Sequence, residues 1–430
     1  MVSFRSWHQA ALVLLLTAIA GWAGQAPADS TYAGREPDAP WRQPAAARIE
    51  KYRKGNLTIV VKDKHGTPVA DADVAVKIRR HAYGFGTCVN GPVLSGQRVS
   101  PEDLQKYKDT IVRLFNKAVM ENDLKWPTWA REETRPRTLV AVDWLRGQDI
   151  PVRGHNLIWP SWKNTPPGLR DLKDDPAKLS EAIIAHIEDE TAAMRGKLVE
   201  WDVINEPFSN HDVLDILGQS AMVDWFRAAH RGDPDAKLYI NDFNIVAGED
   251  AQHRDDYYHK IQALIQAGAP LDGIGLQSHF GRHPVAPEEA YRRIDRFAHF
   301  KKMLEITEFD FNPADEQLQA DYTRDYLTVA FSHPATVGFL MWGFWQGSHW
   351  RPAAAMFRQD WSTKPNYDAY YDLVFKQWWT NATGKTNHGG KYQVRGFLGD
   401  YDLEVRAGER VKTLKTKIVK GNTTLACVLD

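Results

Sequence analysis

The sequence predicts an α/β protein, a (β/α)8 TIM barrel with accessory β-sandwich-like structure drawn from the N- and C-terminal segments. Three observations lead there. Between residues 83 and 385, eight short apolar runs are each followed by room for a helix, the arithmetic of such a barrel. Polar residues gather at the same end of nearly every run. On either side, residues 48–82 and 386–430 alternate apolar and polar residues between turn signals, as half-buried strands do.

The N-terminus reads as an export signal over residues 1–26. Arg5 gives positive charge, "ALVLLLTAIAGWA" a short apolar core, and small residues follow from Ala23 to Ala26. That run is too short for a membrane span, so the expected location is secreted or periplasmic, with no membrane partner once the signal is removed. Residues 27–47, rich in Ala and Pro, read as a linker. In the first accessory segment, "LTIVVKD" and "ADVAVKIRR" alternate around the turn "HGTPV". The C-terminal segment supplies "KYQVRGF", "YDLEVRA", "RVKTLKTKIV" and "TTLACVLD". Neither has enough strands for an independent core, so the two are expected to pack together.

The barrel strands are expected in "YGFGTCVN", "NKAVMEN", "IPVRGHNLIW", "LVEWDVIN", "AKLYIND", "LDGIGLQSH", "KMLEITEFD" and "VGFLMWGF". Several are almost wholly apolar, as strands buried on both faces must be. "PEDLQKYKDTIVRLF" and "DDYYHKIQALIQAG" are among the stretches between them with helical spacing. The run ends are Asn90; Glu121 and Asn122; His155 and Trp159; Asn205 and Glu206; Asn241 and Asp242; Gln277 and His279; Glu308 and Asp310; and Trp342. One polar end is a loop boundary. A ring of them at the C-terminal face of a barrel is where its chemistry sits.

Composition narrows the function. The chain has 430 residues and a formal net charge of -1, which gives no electrostatic case for nucleic acid or an anionic membrane. Its 16 tryptophans exceed the ordinary and suit a site that stacks on flat sugar faces, although many belong in the core. Cys88 and Cys427 are the only cysteines; they either bridge or remain buried thiols, and no Cys/His cluster has zinc spacing. No metal or organic cofactor is expected.

Within the ring, Glu206 ends the fourth strand and Glu308 the seventh, facing each other across the mouth. Glycosidic cleavage needs such a pair, one carboxyl protonated to assist the leaving oxygen and one ionised. Glu308 stands between Ile306 and Phe309 in an apolar run, and a buried carboxylate without partners there is costly.

At these positions the chain resembles glycoside hydrolase family 10, the endo-β-1,4-xylanases. The blocks that carry the resemblance are "ENDLKW", "GHNLIW", "WDVINEP", "YINDFN", "GIGLQSH", "ITEFDF" and "WGFWQGSHW", in order from about residue 83 to about residue 375. The resemblance implies a retaining double displacement on xylan or a related β-glycan, with Glu206 as acid/base and Glu308 as nucleophile. It further implies Asn205 on the 2-hydroxyl of the reacting sugar, His279 on Glu308 with Asp310 behind it, and Gln277 on Glu206. Glu121, Asn122, Lys125 and His155 would bind sugar hydroxyls on the glycone side, and Trp159, Trp342 and Trp350 would wall the site. Two positions depart from the family pattern: Pro160 where a His is usual, and Gln346 where an Asp is usual. Both are expected to flank the sugar site and to favour decorated chains over linear xylan, while Trp345 either stacks on a sugar or side group or packs within its loop. A hydrolase acting on another β-linked glycan is the alternative within enzymes. A glycan-binding protein on the same scaffold is the alternative outside them, though binding alone needs neither glutamate.

Overall fold

A computed structural model describes residues 31–281 and 284–430. The expected export signal lies outside the described residues. Among those described, no helix is long and apolar enough to cross a membrane.

The N-terminal part of the linker expectation also lies outside, but residues 31–47 are not a linker. Residues Arg42–Tyr52 form helix α1, which packs on the helix Glu316–Ser332. Tyr32 and Trp41 are buried. Asp325, fully buried on that helix, accepts hydrogen bonds from Tyr32 Oη and both Arg42 Nη atoms, each at 2.8 Å. Two aromatic anchors and a two-pronged arginine outweigh a composition rich in Ala and Pro. A guanidinium held in this bidentate way is among the stronger charge-assisted contacts.

Strands β1 (Lys54–Asp63) and β2 (Asp73–His81) follow, and then the barrel strands. These are β3 (Gly84–Val89), β4 (Lys117–Met120), β5 (Val152–Ile158), β6 (Glu200–Asn205), β7 (Lys237–Asp242), β8 (Gly273–Phe280), β9 (Met303–Phe311) and β10 (Thr336–Met341). Each pairs in parallel with the next, and β10 returns to β3, closing the barrel. At least one helix lies between each successive pair, with Pro101–Leu114 between β3 and β4 and Glu316–Ser332 between β9 and β10. Their starts are legible in sequence: Ser100, Asp175, Asp250 and Asp315 each accept a backbone N–H of the first turn, satisfying donors that have no partner within the helix.

The chain ends with β11 (Asn381–Lys385), β12 (Lys391–Phe397), β13 (Gly399–Ala407), β14 (Arg410–Ile418) and β15 (Asn422–Leu429). They join β1 and β2 in two sheets, ordered β12-β1-β15 and β11-β2-β13-β14. Each sheet therefore contains strands from both chain ends, as expected. Leu57, Ile59, Val61, Val74, Val76, Leu403, Val405 and Leu429 share one apolar core. Burying an aliphatic side chain of this size stabilises by about 1.5–3 kcal/mol. The C-terminal β structure begins five residues before the expected boundary, at Asn381. Cys427 lies in this core, whereas Cys88 packs with Val119, Leu340 and Trp342 in the barrel. Both thiols are free.

Candidate active site

At the end of β6 the backbone turns sharply. Glu206 has φ of +52°, a left-handed conformation that costs a non-glycine residue roughly 1–2 kcal/mol. Its N–H donates to Asn241 O at 2.8 Å, and Pro207 prevents the strand from continuing. The turn takes Glu206 off the ladder and into the mouth. Glu308 stays within β9, where it lies opposite Gln277 of β8, and Asp310 lies opposite His279.

A hydrogen-bonded chain of amides connects the two carboxylates. Asn205 Oδ1 accepts from Asn241 Nδ2 at 2.9 Å and from Gln277 Nε2 at 3.1 Å. Gln277 Nε2 also donates to Glu206 Oε1 at 3.1 Å, and Asn241 Nδ2 to Glu308 Oε1 at 2.7 Å. Thr307 Oγ1 fixes the amide of Asn241 by donating to its Oδ1 at 2.7 Å. Gly275 leaves the space that this amide occupies, because a Cβ there would meet Asn241 Oδ1 at 2.3 Å. Asn205 Nδ2 is buried with no acceptor among the described residues, a donor left for a ligand.

The glutamates differ in environment. Burial pushes the Glu206 carboxyl up to about 7, the charges of Glu308 and Asp242 push the same way, and the Gln277 bond opposes them. Such a group holds its proton near neutrality. Asn210 Nδ2 steadies its other oxygen at 3.2 Å. Glu308 Oε2 accepts from His279 Nε2 at 3.0 Å. Burial alone would discharge the His279 ring, but Asp310 and Glu308 prevail and hold it at about 9. His279 is therefore a cation that donates Nδ1–H to Asp310 at 3.0 Å and Nε2–H to Glu308. Trp350 Nε1 and Arg351 Nη1 hold the same Asp310 from the other side, at 2.7 and 3.0 Å.

Around the pair lies an open cavity of about 660 Å³. Its lining includes Glu121, Asn122, Lys125, His155, Trp159, Glu206, Gln277, His279, Glu308, Trp342 and Trp350. Asn205 and Asp310 stand directly behind it, joined to these residues by the bonds above. Asn122 Oδ1 accepts from Lys125 Nζ at 2.9 Å, and Lys125 lies 5.3 Å from the Trp159 ring. Glu121 accepts from Asn90 Nδ2 at 3.1 Å, and its carboxyl is raised by burial, with that bond opposing. Trp350 is half exposed at the rim.

The two departures from the family pattern do not sit in this cavity. Gln346 Oε1 is occupied by Gln359 N at 3.0 Å. Trp345 is buried, stacked on Trp361 at 4.7 Å, so it is loop packing and not a sugar platform. Pro160 is buried and accepts Val213 N through its carbonyl. Pro160 and Gln346 therefore do not flank the sugar site as expected, and of the two readings of Trp345 the loop packing holds.

Sequence reading missed the roles of Asn241, Asn210 and Arg351. Asn241 stood at a strand end, and its position beside a small "GIG" strand is the signal that an inward amide has room. Asn210 and Arg351 lie in loops, where spacing carries no such signal. Among the described residues, no group of three or more His, Cys, Asp or Glu side chains is placed to hold a metal ion.

A closed parallel barrel with two carboxylates of unlike surroundings at its C-terminal mouth has the groups that glycosidic cleavage requires. The family model for glycosyl hydrolase family 10 matches residues 76–373, and the chain belongs to that family. The anti-sigma-I factor RsgI6 of Acetivibrio thermocellus is 31% identical over 369 residues, 85% of this chain and 46% of that protein. Endo-1,4-beta-xylanase 1 of Arabidopsis thaliana is 28% identical over 373 residues, 86% of this chain and 38% of that protein. The chain thus spans less than half the length of these relatives. Xylanase 10B of Thermotoga petrophila, solved in complex with xylobiose, matches with a TM-score of 0.62 at 25% identity, covering 69% of this chain and 95% of that one.

Proposed function

We propose that the protein is a secreted, retaining glycoside hydrolase that cleaves internal β-1,4-xylosidic bonds of xylan. Glu206, protonated at rest, donates its proton to the leaving oxygen. Glu308, ionised between His279 and Asn241, attacks the anomeric carbon and forms a glycosyl ester. Glu206, now a carboxylate, then takes a proton from water, which cleaves that ester with a second inversion. Asn205 Nδ2 donates to the 2-hydroxyl, a bond that strengthens in the transition state. The observation that carries this reading is the asymmetry of the pair: Glu206 is raised by burial and by its partner's charge, while Glu308 is held by a histidine cation.

Family membership and the xylanase names among its relatives support xylan as substrate. The expected export signal supports secretion, which cell fractionation tests separately. The chemistry is tested by incubating the purified chain with a panel of xylans and glucans and following product anomers by NMR. Internal cleavage of xylan giving the β-anomer first is expected. First-formed α-anomer would sink the retaining mechanism, and hydrolysis of glucans alone would move the substrate to another β-glycan.

A further inference from the structure

Beneath the mouth, the barrel interior is charged where branched apolar side chains are usual. Lys117 of β4, Arg153 of β5, Glu200 and Asp202 of β6 and Glu305 of β9 are all buried, Arg153 and Glu305 completely. Lys117 Nζ lies 2.5 Å from both Glu200 and Glu305. Arg153 Nη1 donates to Glu200 and Glu305, each at 2.7 Å. Its other edge, Nε and Nη2, grips both oxygens of Asp202, and its face lies 4.4 Å from the Tyr239 ring. Gly338 gives Glu305 its space, since a Cβ there would meet Glu305 Oε1 at 2.1 Å.

A buried ion group of this size stabilises a fold weakly compared with apolar packing, so its position calls for another account. Its upper member is the link. Asp202 Oδ2 lies 2.9 Å from His155 Nδ1, and His155 lines the cavity. The carboxylate can only accept, so Nδ1 carries the proton. Asn156 Nδ2 lies 3.5 Å from His155 Nε2, the outer limit of a hydrogen bond, so the single lone pair of that nitrogen stays open to a closer donor.

We propose that Asp202, gripped from below by Arg153 and the Lys117–Glu200–Glu305 cluster, is a positioning residue that locks His155 as the neutral Nδ1–H tautomer and turns Nε2 to the cleft as an acceptor for a substrate hydroxyl. This rests on the proposed glycan substrate. The choice of tautomer is set by the hydrogen bond the inner nitrogen makes. A cleft that already holds the donors Lys125 and Asn205 Nδ2 thereby gains a neutral acceptor. Such a group matches a hydroxyl proton without adding charge beside Glu308, whose Oε1 is 3.9 Å from His155 Nδ1.

The test is the ¹⁵N spectrum of the His155 ring in the full chain, assigned by its loss in His155→Gln, together with xylan kinetics. The native protein is expected to show Nδ1 protonated and Nε2 bare at neutral pH. In Asp202→Asn the amide can donate to Nδ1, so the proton should move to Nε2. kcat/KM on xylan should then fall by about tenfold or more, mainly through KM. Arg153→Lys, which keeps the charge but loses the fork, should fall between the two. A native ring protonated at Nε2, or at both nitrogens, overturns the proposal while xylan cleavage, and so the reading of function, still stands. A native Nδ1–H ring in a protein that cleaves no glycan would instead defeat that reading. Should Asp202→Asn not fold, the native spectrum still decides.

Discussion

Along β1, the buried residues Leu57, Ile59 and Val61 alternate with half-exposed or exposed neighbours, whereas along β6 every residue from Glu200 to Asn205 is buried. The sandwich thus meets water on one face of each sheet and fills its inner face with aliphatic side chains. The barrel has no wet face along its strands, yet it places Glu200, Asp202, Asn205, Asn241, Glu305 and Glu308 inside. Each of those polar groups is costly unless paired, and the pairing gathers them into two networks, one around Arg153 and one around Asn241, that approach each other at His155 and Glu308. In the sandwich a side chain is replaceable by another of similar shape. In the barrel, removing one partner leaves the other buried and uncompensated.

The largest expected contrast is at Glu308. Glu308→Ala should reduce turnover by several orders of magnitude, because the covalent route is removed, while glycan binding persists by calorimetry. Near-native turnover would end the distinction between the two regions at its strongest point.

Glu206 sharpens the comparison through pH. Its carboxyl is raised to about 7 by burial and by the Glu308 and Asp242 charges, so the acid form needed for catalysis is present below that value and lost above it. The alkaline limb of kcat/KM is expected near pH 7 and should vanish in Glu206→Gln when the leaving group is already activated. A limb unchanged in that variant would assign it to another group.

In the sandwich the effect should move from rate to stability. Ile59→Ala should cost about 2–5 kcal/mol of unfolding free energy with kcat within about twofold of native, read by denaturant titration and initial rates. A loss of kcat without a loss of stability would show that the sandwich reaches the site. The smallest effect is expected from Pro160→His combined with Gln346→Asp. Neither residue lines the cavity, so the ratio of kcat/KM on linear and substituted xylans should change by less than about threefold. A larger change would put this loop back in the specificity account.

The same contrast decides what could be read from sequence. Alternation in "LTIVVKD" and "YDLEVRA" is a local pattern, so the terminal sheets and their need to pair were legible. The ring of strand ends was legible too, because closing the barrel brings residues distant in sequence to one face. Three things were not. Residues 31–47 have the composition of a linker, and only the position of Asp325 on a distant helix explains why Tyr32 and Arg42 hold them down. The roles of Gln346 and Trp345 depend on which way a loop turns, which no periodicity reports. The charged cluster under the site was hidden because Lys117, Arg153 and Glu305 each look like an ordinary charge in an apolar run. They gain meaning only when β4, β5, β6 and β9 close around them.

The central claim, a two-glutamate double displacement, is tested most directly by trapping its intermediate. The native chain is incubated with a xylobioside that carries fluorine at the 2-position of the reacting sugar and an activated leaving group, which slows breakdown of the ester more than its formation. Mass analysis of the digested protein is expected to find one glycosyl adduct on the peptide containing Glu308. No adduct from a compound that is nonetheless hydrolysed, or an adduct on a different carboxylate, would contradict the account.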